Sequence, residues 1–277
     1  MIAVWHQLIT QLPWEWAQFG FMRLALLAVL LLTPVFALLG CLVVNNQMAF
    51  FSEAIGHAAL TGIALGVLAG LGNPLWAMIL FALLLALGVT ALRRWSAVST
   101  DTVISLVMAF CVALGVVLLS RGGGFAKYSH YLIGDLLAVS PGEVAGLAVL
   151  LLGVLLTWVW LFNGWFLASL NRAVARSRGF PVWGLEAVFA AVVAVAVTVS
   201  IPWVGVLVVN SLLILPAATA RNLARDLRQY LALALLAGWA AGLAGLLASY
   251  YWNTAAGGTI VLFAMGLFLL SLLMRRR

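Results

Sequence analysis

The chain alternates between long apolar runs and short segments that carry most of its polar and charged residues. A helix crosses the hydrocarbon layer of a bilayer with about 20 mainly apolar residues, and many of the runs approach this length. The pattern therefore predicts an all-α fold, a polytopic transmembrane helical bundle with eight or nine spanning helices. The nine predicted spans are residues 24–44, 54–71, 75–92, 102–119, 144–162, 187–200, 203–220, 231–251 and 259–273.

The stretch from residue 187 to residue 220 decides the number of spans, because it holds no charge over 34 residues. A single helix of this length would reach about 50 Å, which is too long for one crossing. Ile201-Pro202 offers a break, since proline lacks the backbone donor and restricts the residue before it. We predict two shorter helices here, the second bent at Pro216; eight full spans and a partial one are the alternative.

Basic residues fall mostly on one side of a nine-span bundle. Because basic loops stay in the cytoplasm, this side and the C-terminus are predicted to be cytoplasmic, and the N-terminus faces outward. Only Arg23, Arg121 and Lys127 fall on the other side. The residues on the cytoplasmic side are Arg93, Arg94, Arg172, Arg176, Arg178, Arg221, Arg225, Arg228, Arg275, Arg276 and Arg277.

Composition agrees with a membrane protein and excludes a soluble one. Of the 277 residues 66% are hydrophobic and 8% are charged, whereas a soluble domain carries about 25% charged residues. The net charge of +7 comes without a basic tract interleaved with aromatic residues, so it indicates lipid headgroups and not nucleic acid. Residues 1–20 are rich in Trp and Gln and are predicted to form an interfacial segment of a single transmembrane domain, 1–277.

The sequence lacks the motifs of ATP hydrolysis and of hydrolytic catalysis. Gly122-Gly123-Gly124 is a glycine run without the lysine and helix of a phosphate-binding loop. The three histidines, His6, His57 and His130, are too scattered for a convergent catalytic set. We therefore predict that the chain is not an enzyme, and that any energy source for its work lies elsewhere.

Glu53 and His57 are the ionisable residues that carry the most information. A spacing of four places both side chains on one helical face, about 5–6 Å apart. Carboxylate and imidazole groups suit a borderline divalent cation, and ionisable groups in a membrane span usually face the bundle interior or a water-filled path. Two ligands are too few for a tight zinc site, so either other residues join or two copies of the chain pool four ligands. The alternative is a glutamate at a helix start and an interior histidine.

Two further segments hold candidate residues. The basic loop 171–181 fits a short helix that ends at Gly179, with Pro181 preventing its continuation. This loop is either a solvated positive loop or a docking surface for a cytoplasmic partner. Asp135 and Pro216 are candidates for gating or for a structural role, such as capping a short helix by Asp135.

Four segments together resemble the permease family of the zinc, manganese and iron-chelate ABC importers, and within it the zinc-uptake permeases of Gram-negative bacteria. Residues 48–62 resemble a helix start in which an aromatic residue and a carboxylate precede a histidine. Residues 131–140 resemble the segment Y-L-x-G-D-L-L-A-V, and residues 212–221 resemble L-L-I-x-P-A-A-T-A-R. Residues 99–102 resemble an Asp-Thr pair that opens a helix.

The resemblance implies a homodimeric permease in the bacterial inner membrane, with two cytoplasmic ATP-binding subunits and an extracytoplasmic solute-binding protein. Its transported substrate would be a divalent metal ion, zinc or else manganese or iron, with no cofactor bound permanently and ATP hydrolysed on a separate subunit. Glu53 and His57 would contact the metal. The helix that docks on the ATPase would contain Ala173, Ala175, Arg176, Gly179 and Phe180.

Two departures from the family pattern bear on these expectations. The family usually has Gly-Asp where this chain has Ser52-Glu53, which leaves the metal preference open. Its docking segment usually opens with an acidic residue, whereas Asn171-Arg172 stand here. An ion-coupled secondary transporter and a membrane-embedded enzyme are the competing hypotheses, but Glu53 alone suits ion coupling and no catalytic set is present.

Overall fold

The computed structural model describes residues 5, 9, 13–95, 98–120 and 134–274, and within these ranges every regular element is helical. Two short 3₁₀ turns, Glu15–Gln18 and Leu136–Ala138, precede long helices. His6, His130, the glycine run and half of the predicted interfacial segment lie outside the described residues. The helices are α1 (Gly20–Asn45), α2 (Ala49–Leu68), α3 (Leu75–Trp95), α4 (Thr100–Ser120), α5 (Pro141–Leu170), α6 (Arg172–Ser177), α7 (Val182–Val204), α8 (Val206–Leu223), α9 (Leu227–Trp252) and α10 (Ala256–Leu273).

Nine of the described helices, all except α6, are long and apolar enough to cross a membrane. The predicted all-α, polytopic bundle with nine spans is therefore confirmed. Several helices are longer than their predicted spans, because polar residues that cap or extend a helix do not belong to an apolar run. Helix α5 is an example: Ser140 and Glu143 cap its start reciprocally, with Glu143 Oε2 accepting from the Ser140 N–H at 2.7 Å.

The break between α7 and α8 lies later than the proline pattern predicts. Helix α7 continues through Pro202 and ends at Val204, because a proline in the last turn disturbs only the bonds near the helix end. The interruption comes at Gly205, whose φ of +88° is accessible to glycine at little cost. Helix α8 in turn continues through Pro216 to Leu223.

The chain divides into two compact units. The first comprises Met1–Cys41, Asp135–Gly153 and Trp203–Arg277, as far as these residues are described. Its helices α8, α9 and α10 pack against one another. A Cβ atom added at Gly245 would lie 2.5 Å from the Cα of Ile260, so only glycine allows α9 and α10 to approach this closely.

The second unit comprises Leu42–Gly134 and Val154–Pro202, again as far as described. Here α2 packs against both α3 and α4. Gly62 lets α2 approach α3, since a Cβ atom there would lie 2.7 Å from the Cα of Met78. The hydroxyl of Thr61 donates to the carbonyl of Cys111 on α4, which satisfies a buried polar group inside the membrane span. These contacts fix α2, the helix that carries Glu53 and His57.

Candidate functional site

Glu53 and His57 lie one turn apart in the first half of α2. The helix follows a tight turn at Gln47, which has a φ of +55°, and Met48 is its N-cap residue. At a rise of 1.5 Å per residue, Glu53 lies about 6 Å and His57 about 12 Å along the axis from the first residue of the helix. The predicted (i, i+4) pair is present, with His57 Nε2 at 3.9 Å from Glu53 Oε1.

Most of the surface of α2 around this pair is buried, although Phe50, three residues before Glu53, is 48% exposed. Phe51, Ser52, Ala54, Ile55 and Gly56 are all buried, and so are the residues that follow His57 as far as Ala64. By contrast, the side chains of Glu53 and His57 are 42% and 43% exposed. The pair therefore lies, together with Phe50, on an open face of a helix whose other side chains are mostly buried as far as Ala64.

The donor set at this face is incomplete. Within the described part of the chain, no three side chains of His, Cys, Asp or Glu come close enough together to hold a metal ion. A structural zinc site has four ligands, and a catalytic one has three from the protein. One copy of α2 therefore supplies at most half of a four-ligand set.

The predicted short helix in the basic loop is present as α6. The Asn171 side chain caps it by accepting hydrogen bonds from the N–H groups of Ala173 at 2.9 Å and Val174 at 3.2 Å. Gly179, with a φ of +79°, ends it as predicted. The N–H of Gly179 donates to the Arg176 carbonyl and that of Phe180 to the Ala175 carbonyl, a pattern typical of a glycine-terminated helix.

The residues predicted for docking on α6 do not share one environment. Ala173, Arg176 and Gly179 are exposed, whereas Ala175 is fully buried against Ala168 and Val182. Phe180 is half-buried and packs against the same cluster. Ala175 and Phe180 therefore hold α6 in place, and the exposed residues form the surface that a partner could contact.

Sequence reasoning did not find Glu186, which forms an ion pair with the first residue of α6. Arg172 Nε lies 2.8 Å from Glu186 Oε1, and the Glu186 side chain is 24% exposed. Glu186 belongs to α7, which begins five residues before the predicted span. The sequence did show Glu186 as a single acidic residue next to an apolar run, but it does not say with which arginine this residue forms an ion pair.

A groove of about 710 Å³ opens beside α6 in the same unit. Its charged lining includes Arg93, Arg172, Arg176 and Glu186. Arg93 is the second feature that sequence reasoning missed, since it was counted only as a positive residue at the membrane surface. Its Nη1 donates to the sulfur of Met48 at 3.3 Å.

Asp135 and Pro216 both make contacts that support the fold. Asp135 caps the 3₁₀ turn Leu136–Ala138, with its Oδ1 accepting from the N–H of Leu137 at 3.0 Å. Pro216 is buried in α8, and its Cγ would lie 3.5 Å from a Cβ at Gly238 on α9. Asp135 therefore caps a short helical turn, which is the structural role considered for it in the sequence.

The described residues form nine apolar helices, with a polar pair on the open face of one of them and a short capped helix outside the spans, and this is the architecture of a multi-pass membrane protein. The chain belongs to the ABC 3 transport family, whose family model matches residues 18–275. The resemblance found in the sequence is thereby confirmed. Because it belongs to this family, the chain is a protein of the bacterial inner membrane.

Individual relatives match along nearly their whole length. The chain is 31% identical over 254 residues to the high-affinity zinc uptake system membrane protein ZnuB of Haemophilus influenzae, covering 91% of this chain and 97% of the relative. It is 29% identical over 256 residues to the manganese import system permease protein ScaB of Streptococcus gordonii, covering 91% of each. Among solved structures, PsaBC from Streptococcus pneumoniae in complex with Fab has a TM-score of 0.79 and 28% identity, covering 98% of this chain and 95% of that one.

Proposed function

We propose that this chain is the membrane-spanning permease subunit of an ATP-driven importer of a divalent metal ion, with zinc as the substrate and manganese as the alternative. Membership of the ABC 3 transport family supports the transport class. The names of the relatives support the two metals, since ZnuB is a zinc uptake protein and ScaB a manganese import permease. The match over residues 18–275 supports one permease domain across 1–277.

The open face of α2 carries the proposal. A carboxylate and an imidazole that are 42% and 43% exposed on a spanning helix cannot face acyl chains without a large free-energy cost. The face is therefore covered by protein or lines a path for water and ions. Oxygen and nitrogen donors of this kind suit both zinc and manganese.

A second copy of the chain would complete the donor set. Two copies of α2 that face each other would bring two carboxylates and two imidazoles to one ion, the number that zinc takes in protein sites. A transported ion must leave as readily as it enters. A set divided between two chains suits this requirement, because a small separation of the copies breaks it.

We place the ATPase contact on the exposed side of α6, at Ala173, Arg176 and Gly179. Its capped start, its glycine end and the buried Ala175 give this short segment a fixed shape, which a docking surface needs. Two cytoplasmic ATP-binding subunits would bind here and hydrolyse ATP, and a solute-binding protein would deliver the metal from outside. The chain itself is then a transport subunit, not an enzyme.

The test is metal uptake by cells that lack their own high-affinity zinc importer and express this chain with its ATP-binding subunits. We expect uptake of radioactive zinc to require both the ATP-binding subunit and Glu53. Glu53→Gln removes the charge without changing the side-chain size, and Glu15→Gln is the matched control because Glu15 is exposed in the 3₁₀ turn Glu15–Gln18.

The outcomes separate the competing functions. Uptake that persists without the ATP-binding subunits would identify a secondary transporter and overturn the proposal. Wild-type uptake by Glu53→Gln would overturn the assignment of the metal site. Competition with a panel of divalent ions then identifies the substrate, and manganese that competes better than zinc would select the alternative.

A further inference from the structure

Two side-chain contacts and one electrostatic attraction, that between Glu186 and Arg93, join α6 to the residue before α2, all within the second unit. Arg172, at the start of α6, forms the 2.8 Å ion pair with Glu186 on α7. Glu186 and Arg93 line one small cavity of about 10 Å³ together with Asn46 and Met48. Arg93 Nη1 then donates to Met48 Sδ at 3.3 Å. The docking segment and the metal-binding helix are thus connected by two arginines, a glutamate and a methionine.

Arg93 is unusual for an arginine at the end of a membrane span. Such side chains generally extend to the headgroup layer, and its neighbour Arg94 is exposed. Arg93 is only partly exposed and interacts electrostatically with Glu186 and Asp101, which attract it, and with Arg172, which repels it. Its position therefore depends on the charge balance at the Arg172–Glu186 pair.

Met48 is the point at which a movement of Arg93 reaches the metal site. It is the N-cap residue of α2, so it lies five residues before Glu53, and a helix transmits a displacement of its end along its length. The turn before it holds Gln47 at a φ of +55°, a conformation that non-glycine residues adopt rarely. The start of α2 is therefore held by side chains as much as by its own backbone.

From these contacts we propose that Arg93 and Glu186 are positioning residues that couple docking at α6 to the placement of Glu53 and His57. When the ATP-binding subunit moves α6, the ion pair between Arg172 and Glu186 changes its geometry. Arg93 then shifts with Glu186, and Met48 and the start of α2 shift with Arg93. The inference rests on the proposed function, because it concerns how the same permease links hydrolysis to transport.

The test measures zinc transported per ATP hydrolysed by the complete transporter in proteoliposomes. We expect Glu186→Gln and Arg93→Met each to lower this ratio by at least about fivefold, a typical coupling effect, while basal ATP hydrolysis persists. Arg94→Met is the matched control, since Arg94 makes no ion pair or side-chain hydrogen bond among the described residues. Combining Glu186→Gln with Arg93→Met should lower the ratio no further, because both act in one series.

A charge exchange separates positioning from simple folding support. Arg172→Glu and Glu186→Arg should each uncouple the transporter, and the double variant should recover most of the wild-type ratio. Basal hydrolysis at the wild-type level shows that a variant has assembled. A wild-type ratio in Glu186→Gln or Arg93→Met, or additive losses in their combination, would overturn the inference.

Failure of the inference and failure of the proposed function give different results. If the wild-type transporter moves no zinc with ATP, the proposed function is wrong. If it moves zinc and Glu53→Gln does not, while the Arg93 and Glu186 variants remain coupled, the proposed function stands and the inference is wrong.

Discussion

The proposed metal-binding pair on α2 and the proposed docking segment α6 differ in how their polar groups are paired. In α6 the Asn171 side chain caps the helix and Arg172 is 2.8 Å from Glu186. On α2, Glu53 and His57 are 3.9 Å apart and have no hydrogen-bond partner among the described residues. The start of α6 is thus paired with other side chains and backbone groups, whereas Glu53 and His57 contact only each other among the described residues.

This difference follows from what each region has to do. A docking surface must keep one shape, so its backbone and side-chain groups are satisfied within the chain. A transport site must offer free donors to an ion and release it again, so its groups are left without protein partners. Unpaired polar groups inside a membrane span are costly, and they persist where they line a functional path.

Removing the unpaired donors should have the largest effect. We expect His57→Leu to lower zinc uptake by about 100-fold or more, since even the loss of a group that only supports a metal ligand costs about 10- to 100-fold. Uptake assays in cells measure this, and the amount of transporter in the membrane should stay unchanged. Uptake within twofold of wild type would show that His57 is an interior residue without a metal contact.

Moving a donor without removing it should have a smaller effect. Glu53→Asp withdraws the carboxylate by about 1.5 Å, far more than the tolerance of about 0.2 Å for metal–ligand distances. We expect zinc uptake to fall by about tenfold and the preference between zinc and manganese to change. Competition assays with both ions check this, and an unchanged preference would mean that Glu53 does not contact the ion.

Removing the side-chain cap at the start of the docking segment should have a still smaller effect. Asn171→Ala removes the cap of α6 and destabilises this turn by about 1 kcal/mol, which corresponds to about a fivefold weaker docking of the ATP-binding subunit. Binding of that subunit to the permease in nanodiscs measures it. Asn171→Asp keeps the capping oxygen and is the control, so equal weakening by both variants would contradict the role of the cap.

A change at the end of α6 should have an effect no larger than that of removing its cap. Gly179 has a φ of +79° and no atom within 4 Å of the place of a Cβ, so Gly179→Ala meets backbone strain and no steric clash. We expect about 1 kcal/mol of destabilisation, with Gly179→Asn much milder because asparagine tolerates this conformation. The same binding assay compares the two variants, which should behave alike if the backbone conformation is irrelevant.

Much of the fold could be predicted from local pattern. The nine apolar runs correspond to nine long helices among the described residues, and the basic loop forms a short helix that ends at Gly179. The break near Pro202 was expected, but its position at Gly205 was not, since a proline in a last turn does not stop a helix. Helix ends such as those of α5 and α7 were missed because capping and charged residues extend a helix beyond its apolar run.

The sequence by itself determined the membrane class, a count of eight or nine spans and the pairing of Glu53 with His57, because apolar length and a spacing of four are local properties. Only the tertiary structure decided that this pair lies on an open face of a mostly buried helix, that Ala175 is buried under α6, and that Glu186 contacts Arg172 while Arg93 contacts Met48. These contacts join residues 14 and 45 positions apart. Their geometry depends on how α2, α3, α6 and α7 pack, and a spacing along the chain does not contain that information.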